Sequence, residues 1–222
     1  MTDIAANIRR LRERIRIAAE RSGRSPDSVR LIAVTKTVSP SRIQEAVDCG
    51  ITDIGENRLQ EALAKKESLA DQKLTWHFIG RIQTNKAKKI AQNFDCVHSV
   101  DRLEVAEALA RSGRSSLPVL IEVKLYDEPN KSGAAVSELP ALVDAVRQMD
   151  ALRLRGLMAI PPPVEDPEAA RPFFQQLRSL ARQFDLPELS MGMTHDFEVA
   201  VEEGATMVRV GTAIFGERDP AA

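Results

Sequence analysis

Apolar residues recur along this chain with two alternating periods. Ile4, Ile8, Leu11, Ile15 and Ala18 stand at helical spacing with arginines on the opposite face, which predicts an amphipathic helix ending near Gly23. The run 31–36 (LIAVTK) is mostly apolar and β-prone, and predicts a first buried strand closed by Lys36. Ser39-Pro40 opens a helix through about Asp48, with Gly50 as its stop. Further strands are predicted over 52–55, 74–80, 95–100, 118–125, 152–160, 186–192 and 206–211. Helices are predicted between them over 57–69, 84–92, 101–111, 136–149, 169–184 and 196–203, with Asp101 as the cap of the third of these. The stretches 126–133 and 161–168 are rich in turn formers and proline, and read as loops.

The order is one helix, then eight strands alternating with seven helices. Such alternation requires parallel strands joined by helical crossovers. Eight strands predict an α/β protein of the closed (β/α)8, TIM-type barrel class, with an open doubly wound sheet as the alternative. The N-terminal helix stands in for the missing eighth and closes the outer ring, since only a short tail follows the last strand. Nothing reads as a linker, so residues 1–222 are expected to form a single domain.

Composition adds exclusions. The chain is 43% apolar and 28% charged with a net charge of -1, a balance that argues against a dedicated nucleic-acid binder. Cys49 and Cys96 lie far apart with no CxxC spacing, as expected of two unpaired buried thiols in a reducing compartment. No apolar run is long enough to cross a membrane. The Arg-rich N-terminus is interrupted by Asp3, Glu13 and Glu20, so it reads as part of the fold rather than a targeting segment, and the protein as cytoplasmic.

A barrel carries its active site at the C-terminal ends of its strands. Those positions hold Lys36, Glu56, Asn57, Gly80, Ser99, Met158, the 191–194 stretch ending in Thr194, Arg209, Gly211 and Thr212. A lysine aimed into such a site can lose its proton by desolvation and attack an aldehyde or ketone. The loops after the last two strands, MGMTHD and GTAIFG, can hold a phosphate: Thr194 offers a hydroxyl, and Gly211 and Thr212 offer backbone N–H groups. A reactive lysine with a phosphate cradle points to a phosphorylated aldehyde, with pyridoxal 5'-phosphate (PLP) as the first candidate. Arg209 stands two residues before Gly211, so both face the site. Against the pyridine nitrogen of PLP, its guanidinium would leave that nitrogen unprotonated and damp carbanion chemistry. Each residue also has a plain structural alternative: a strand-end lysine snorkels to solvent, and a strand-end arginine forms an ion pair. His77, His98 and His195 show no ligand spacing, and His77 reads as a packed, hydrogen-bonded core residue. The basic run 85–89 reads as a solvated helix face.

Taken together, LIAVTKT (31–37), GENRLQE (55–61), WHFIGRIQTNK (76–86), NKSG (130–133), RGLMAI (155–160), SMGMTHD (190–196) and VRVGTAIFG (208–216) resemble the pyridoxal phosphate homeostasis family, end to end and in order. The resemblance implies the barrel half of alanine racemase without its second domain. It implies Lys36 as the Schiff-base lysine, Arg209 facing the pyridine nitrogen, Thr194, Gly211 and Thr212 around the phosphate, Asn57 beside the cofactor and Met158 lining its pocket. Three positions depart from the family pattern: Thr194 replaces a frequent serine but keeps the hydroxyl, Arg58 replaces an aromatic, and Val38 replaces a second basic residue after Lys36-Thr37.

By that resemblance the protein is a non-catalytic PLP carrier that stores, buffers or delivers the cofactor, with apo-PLP enzymes as recipients and a monomer expected. The competing readings are a weak PLP-dependent amino-acid racemase and a Schiff-base aldolase acting on a sugar phosphate. Racemisation needs an acid or base on each face of the ring, and the only tyrosine, Tyr126, does not match that role.

Overall fold

The computed structural model describes residues 2–127 and 132–217. Helix α1 (Ile4–Arg21) buries the predicted stripe Ile4, Ile8, Leu11, Ile15 and Ala18, and Asp3 caps it by accepting the Ala6 N–H at 2.8 Å. Nine strands follow among the described residues: β1 (Arg30–Val34), β2 (Asp53–Glu56), β3 (Thr75–Phe78), β4 (Cys96–Val100), β5 (Leu117–Lys124), β6 (Ala134–Ala135), β7 (Leu152–Met158), β8 (Glu188–Ser190) and β9 (Met207–Val210). Eight of them close a parallel barrel in the order β1-β2-β3-β4-β5-β7-β8-β9. The seam joins Arg30 to Met207 and Ala33 to Val210. The two-residue β6, not anticipated from the sequence, extends the sheet along β5 by pairing Val123 with Ala134. The first half of the NKSG stretch, residues 130 and 131, lies outside the described residues.

The crossovers carry α2 (Pro40–Asp48), α3 (Leu59–Ser68), α4 (Ala87–Asn93), α5 (Leu103–Ala110), α6 (Leu139–Arg147), α7 (Arg171–Gln183) and α8 (Phe197–Glu202). After β9 the chain does not trail off as expected but turns into the one-turn helix α9 (Thr212–Phe215). Helix α1 packs on α8, α9 and α2, and Asn7 Nδ2 donates to the Ile214 carbonyl at 2.9 Å. The N-terminal helix thus closes the outer ring. One cap differs from expectation. Helix α5 starts after Arg102, and the Asp101 carboxylate accepts from Arg102 Nη1 at 2.6 Å instead of capping.

Strand alternation sorts the core into two shells. Outward residues such as Ala33, Ile54, Phe78, Val97, Val119, Leu157 and Val208 join the helices in one large core. Inside the barrel the apolar cluster is small: Ile32, Cys96, Leu120, Met158 and Met207. The interior is instead rich in buried polar residues, among them Asp53, His77, His98, Glu122, Ser190 and Arg209. An interior filled this way is unlike the branched apolar layers typical of such barrels.

Candidate active site at the barrel mouth

Lys36 stands two residues beyond β1, in a segment clamped on both sides. The buried Lys65 of α3 donates to the Thr35 carbonyl at 2.5 Å, to Glu56 Oε1 at 2.6 Å and to Glu61 Oε1 at 2.6 Å. Glu61 also accepts the Thr37 N–H, and Thr35 Oγ1 donates to Glu56 at 2.6 Å. Thr37 has a positive φ of 63°, costly for a β-branched residue, so the clamp holds a backbone turn that the local sequence disfavours. Burial pushes the Glu56 carboxyl above its usual range, with Lys65 opposing. Burial acts the same way on Glu61, but Lys65 and the Thr37 N–H outweigh it and its pKa is lowered. Nothing in the sequence singles out Lys65 except its i,i+4 spacing from Glu61, which on its own reads as an ordinary surface pair.

Lys36, Asn57, Gly80, Thr194, Arg209, Gly211 and Thr212 all line one cavity of about 470 Å³ at the C-terminal ends of the strands. Six of the seven predicted site residues are therefore brought together there. Met158 is not among the lining residues. It is 1% exposed and packs with Ile32, Leu120 and Met207 inside the barrel, because alternation turns it into the inner apolar cluster. The lining also includes Ile79, Arg81, Glu122 and Ser132.

Arg209 is 4% exposed; Nη1 donates to Ser190 Oγ at 2.7 Å and Nη2 to the Ala159 carbonyl at 3.1 Å. Burial pulls its pKa down to about 10 while Glu122 and Asp196 oppose, so it keeps its charge at neutral pH. Glu122 accepts from Ser132 Oγ at 2.9 Å, and burial raises its pKa. The 192–196 turn is set by Gly192 (φ 89°), where an added Cβ would lie 2.5 Å from the Ala200 methyl, and by Asp196, which accepts the Met193 N–H at 2.6 Å. Thr194 Oγ1 accepts the Ala213 N–H at 3.4 Å, tying this turn to the start of α9. Asn57 is held by close backbone contact: a Cβ on Gly80 would lie 2.3 Å from the Asn57 carbonyl oxygen. Its Oδ1 is buried without a hydrogen-bond partner among the described residues.

A larger cleft of about 1050 Å³ meets this cavity at Asn57 and Arg81 and is lined by Arg58, Lys86, Lys89 and Arg102. It is a basic surface groove and contains neither Lys36 nor Arg209, so the smaller cavity is the candidate site. His77 is the packed, hydrogen-bonded core residue expected, and its partner is unforeseen: His77 and His98 meet inside the barrel, 2.9 Å apart between ring nitrogens, with the buried Cys96 beside them. Cys49, expected to be buried, is only partly so.

The chain matches the family model of the alanine racemase N-terminal domain over residues 6–219. It is 50% identical to the pyridoxal phosphate homeostasis protein of Pseudomonas aeruginosa, with 99% of this chain and 97% of that protein covered. It is 44% identical to the protein of the same name from Escherichia coli K12, with 99% and 98% covered. Among solved structures, PipY of Synechococcus elongatus with PLP bound superposes with a TM-score of 0.85 at 39% identity, covering 96% of this chain and all of that one. Alanine racemase of Corynebacterium glutamicum superposes with a TM-score of 0.69 at 18% identity, covering 97% of this chain and 60% of that one, a likeness of fold. The chain belongs to the alanine racemase N-terminal domain family and, within it, to the pyridoxal phosphate homeostasis proteins.

Proposed function

We propose that the protein binds PLP in the 470 Å³ cavity and serves to hold and hand on the cofactor. One observation carries the reading: Lys36 and the buried cationic Arg209 line a single small cavity with the Thr194, Gly211 and Thr212 turn. The residues fit the group. The buried Asn57 Oδ1 gives an acceptor without a partner among the described residues, Lys36 gives an amine, and Arg209 gives a buried cation. PLP, when bound, supplies an aldehyde to which an amine can attach and a ring that accepts electrons. Lys36 would supply the amine that holds the aldehyde, Arg209 the cation that disfavours protonation of the ring nitrogen, and Thr194, Gly211 and Thr212 the polar groups that would hold the phosphate. Met158 supports this floor from within the barrel rather than lining it.

The protein is a carrier rather than a turnover enzyme. A racemase needs a second proton donor opposite the lysine. Tyr126 instead packs edge-on to Phe173 with ring centroids 5.9 Å apart. Apo-PLP enzymes are the recipients, and a cytoplasmic monomer is the form proposed. No helix among the described residues is long and apolar enough to cross a membrane. Titration of the apo-protein with PLP should produce a visible absorbance band that Lys36→Ala abolishes. Alanine turnover should stay far below about 1 per second. An unchanged band in the variant, or turnover at an ordinary enzymatic rate, would refute the carrier reading.

A further inference from the structure

Inside the barrel an unbroken chain of hydrogen bonds runs from the cavity floor to the far end of the strands. Arg209 Nη1 donates to Ser190 Oγ at 2.7 Å. Ser190 Oγ lies 2.8 Å from His98 Nδ1. His98 Nε2 lies 2.9 Å from His77 Nδ1, and His77 Nε2 lies 2.9 Å from Asp53 Oδ1. Asp53 in turn lies 3.6 Å from Arg30, which is half exposed at the barrel's N-terminal end. Ser190, His98 and His77 are all fully buried. Four strands, β2, β3, β4 and β8, thus each contribute one inward residue to a single line ending on β9.

We infer that Ser190, His98 and His77 form a one-way hydrogen-bond relay that fixes Arg209 in the cavity floor, with its direction set by Asp53. The direction follows from counting protons. The Asp53 carboxylate can only accept, so His77 carries its proton on Nε2. Its Nδ1 is then an acceptor and requires the His98 proton on Nε2. His98 Nδ1 is an acceptor in its turn and takes the Ser190 hydroxyl proton. Ser190 Oγ keeps lone pairs for Arg209. Every donor finds one acceptor, and both rings stay neutral. Burial, with His77 and Arg209 nearby, holds the His98 pKa well below its ordinary value, in keeping with a neutral ring. The opposite arrangement, a doubly protonated His77, would make Ser190 Oγ accept from both His98 and Arg209. Its own proton would then be buried with no acceptor among the described residues.

The same rings lie close enough to Cys96 to suggest a metal ion, since the three ligand atoms fall within 4.8 Å of one another. All four ring nitrogens are already engaged, however, and burial pushes the Cys96 thiol up to about 12. The relay accounts for the cluster without an ion. These three residues are positioning residues: only Arg209 reaches the cavity. What the relay does to a bound cofactor rests on the PLP reading; the relay itself does not.

The apo-protein tests the relay directly. It has three histidines, and His195 is exposed, so long-range ¹H–¹⁵N NMR resolves the buried pair. Both buried rings are expected as neutral Nε2–H tautomers with Nδ1 accepting. An imidazolium or an Nδ1–H tautomer at either ring overturns the relay, and so does a stoichiometric tightly held metal ion in the purified protein. Ser190→Ala should shift the His98 Nδ1 resonance without unfolding the chain, and an unmoved resonance also overturns it. With PLP, Ser190→Ala should weaken binding about tenfold, the loss of one charge-assisted hydrogen bond, and alter the visible circular dichroism of the bound cofactor. Unchanged affinity and dichroism would overturn the anchoring role. If the wild type binds no PLP, the cofactor reading fails while the NMR test still stands.

Discussion

Replacing Lys65 by methionine removes the ammonium that ties Thr35, Glu56 and Glu61 together around Lys36. Lys65 is 5% exposed and the Glu56 side chain is fully buried, so the variant leaves a carboxylate stranded in the core. Breaking a buried pair from one side costs about 3–5 kcal/mol. Glu56 can take up a proton, which relieves part of that, so we expect a loss of about 3 kcal/mol, the low end of the same range. For a chain of this size that lowers Tm by roughly 6–12 °C. The effect depends on pH. The Glu56 pKa is raised in the fold, so this group favours the folded state most below its unfolded pKa, and that contribution is lost as pH rises through the folded value. Without Lys65 the Glu56 pKa rises further. The Glu61 pKa, lowered in the wild type, loses its main support as well. Its stabilisation is present at neutral pH and lost in acid. The Glu56 change makes the gap between wild type and variant largest near pH 8 and smaller near pH 5, and the Glu61 change narrows it further only in more acid solution. Urea denaturation of the apo-proteins across that range measures it. The Thr35–Thr37 segment should also loosen, so PLP should bind more weakly. Equal stabilities at pH 8, or a gap that widens in acid, would refute the clamp.

Three further outcomes follow from the geometry. Gly80→Ala forces a Cβ to within 2.3 Å of the Asn57 carbonyl oxygen. It should cost about 1–3 kcal/mol in urea titration through backbone displacement, with weaker PLP binding. Arg209→Met leaves Glu122 and Asp196 without the buried cation that opposes their raised pKa values. It should weaken PLP binding at least about tenfold and make the apo-protein relatively more stable as pH is lowered from 8 to 5. In the native protein a thiol reagent should modify the half-buried Cys49 well before Cys96, whose thiol is buried and pushed up to about 12, and Cys96 should react at a similar rate only after denaturation.

The barrel was legible because strands and helices alternate with clean periods and because Lys36, Asn57, Thr194, Arg209 and Gly211 fall where strands end. Alternation marks Met158 as inward-facing, as it does Arg209, but does not say how deep in the barrel a side chain sits, which is why Met158 read as a pocket residue when it packs with Ile32, Leu120 and Met207. Lys65 was hidden for a related reason: beside Lys66 on a weakly amphipathic helix, it looks like a solvated charge until the fold brings Glu56 under it. His77 read correctly as a hydrogen-bonded core residue, but its partners, Asp53 and His98, lie 24 and 21 residues away in sequence and meet only on adjacent strands. The α9 turn was missed because four residues carry too little pattern to mark a helix.

PLP binding by this protein turns on the residue that holds the cofactor. The direct measurement is mass spectrometry of peptides from the PLP-loaded protein after borohydride reduction, with Lys36→Ala treated in parallel. One pyridoxyl phosphate adduct is expected on the peptide bearing Lys36, and none at stoichiometric level in the variant. An adduct on Lys65 or another lysine at full occupancy in the wild type would contradict it.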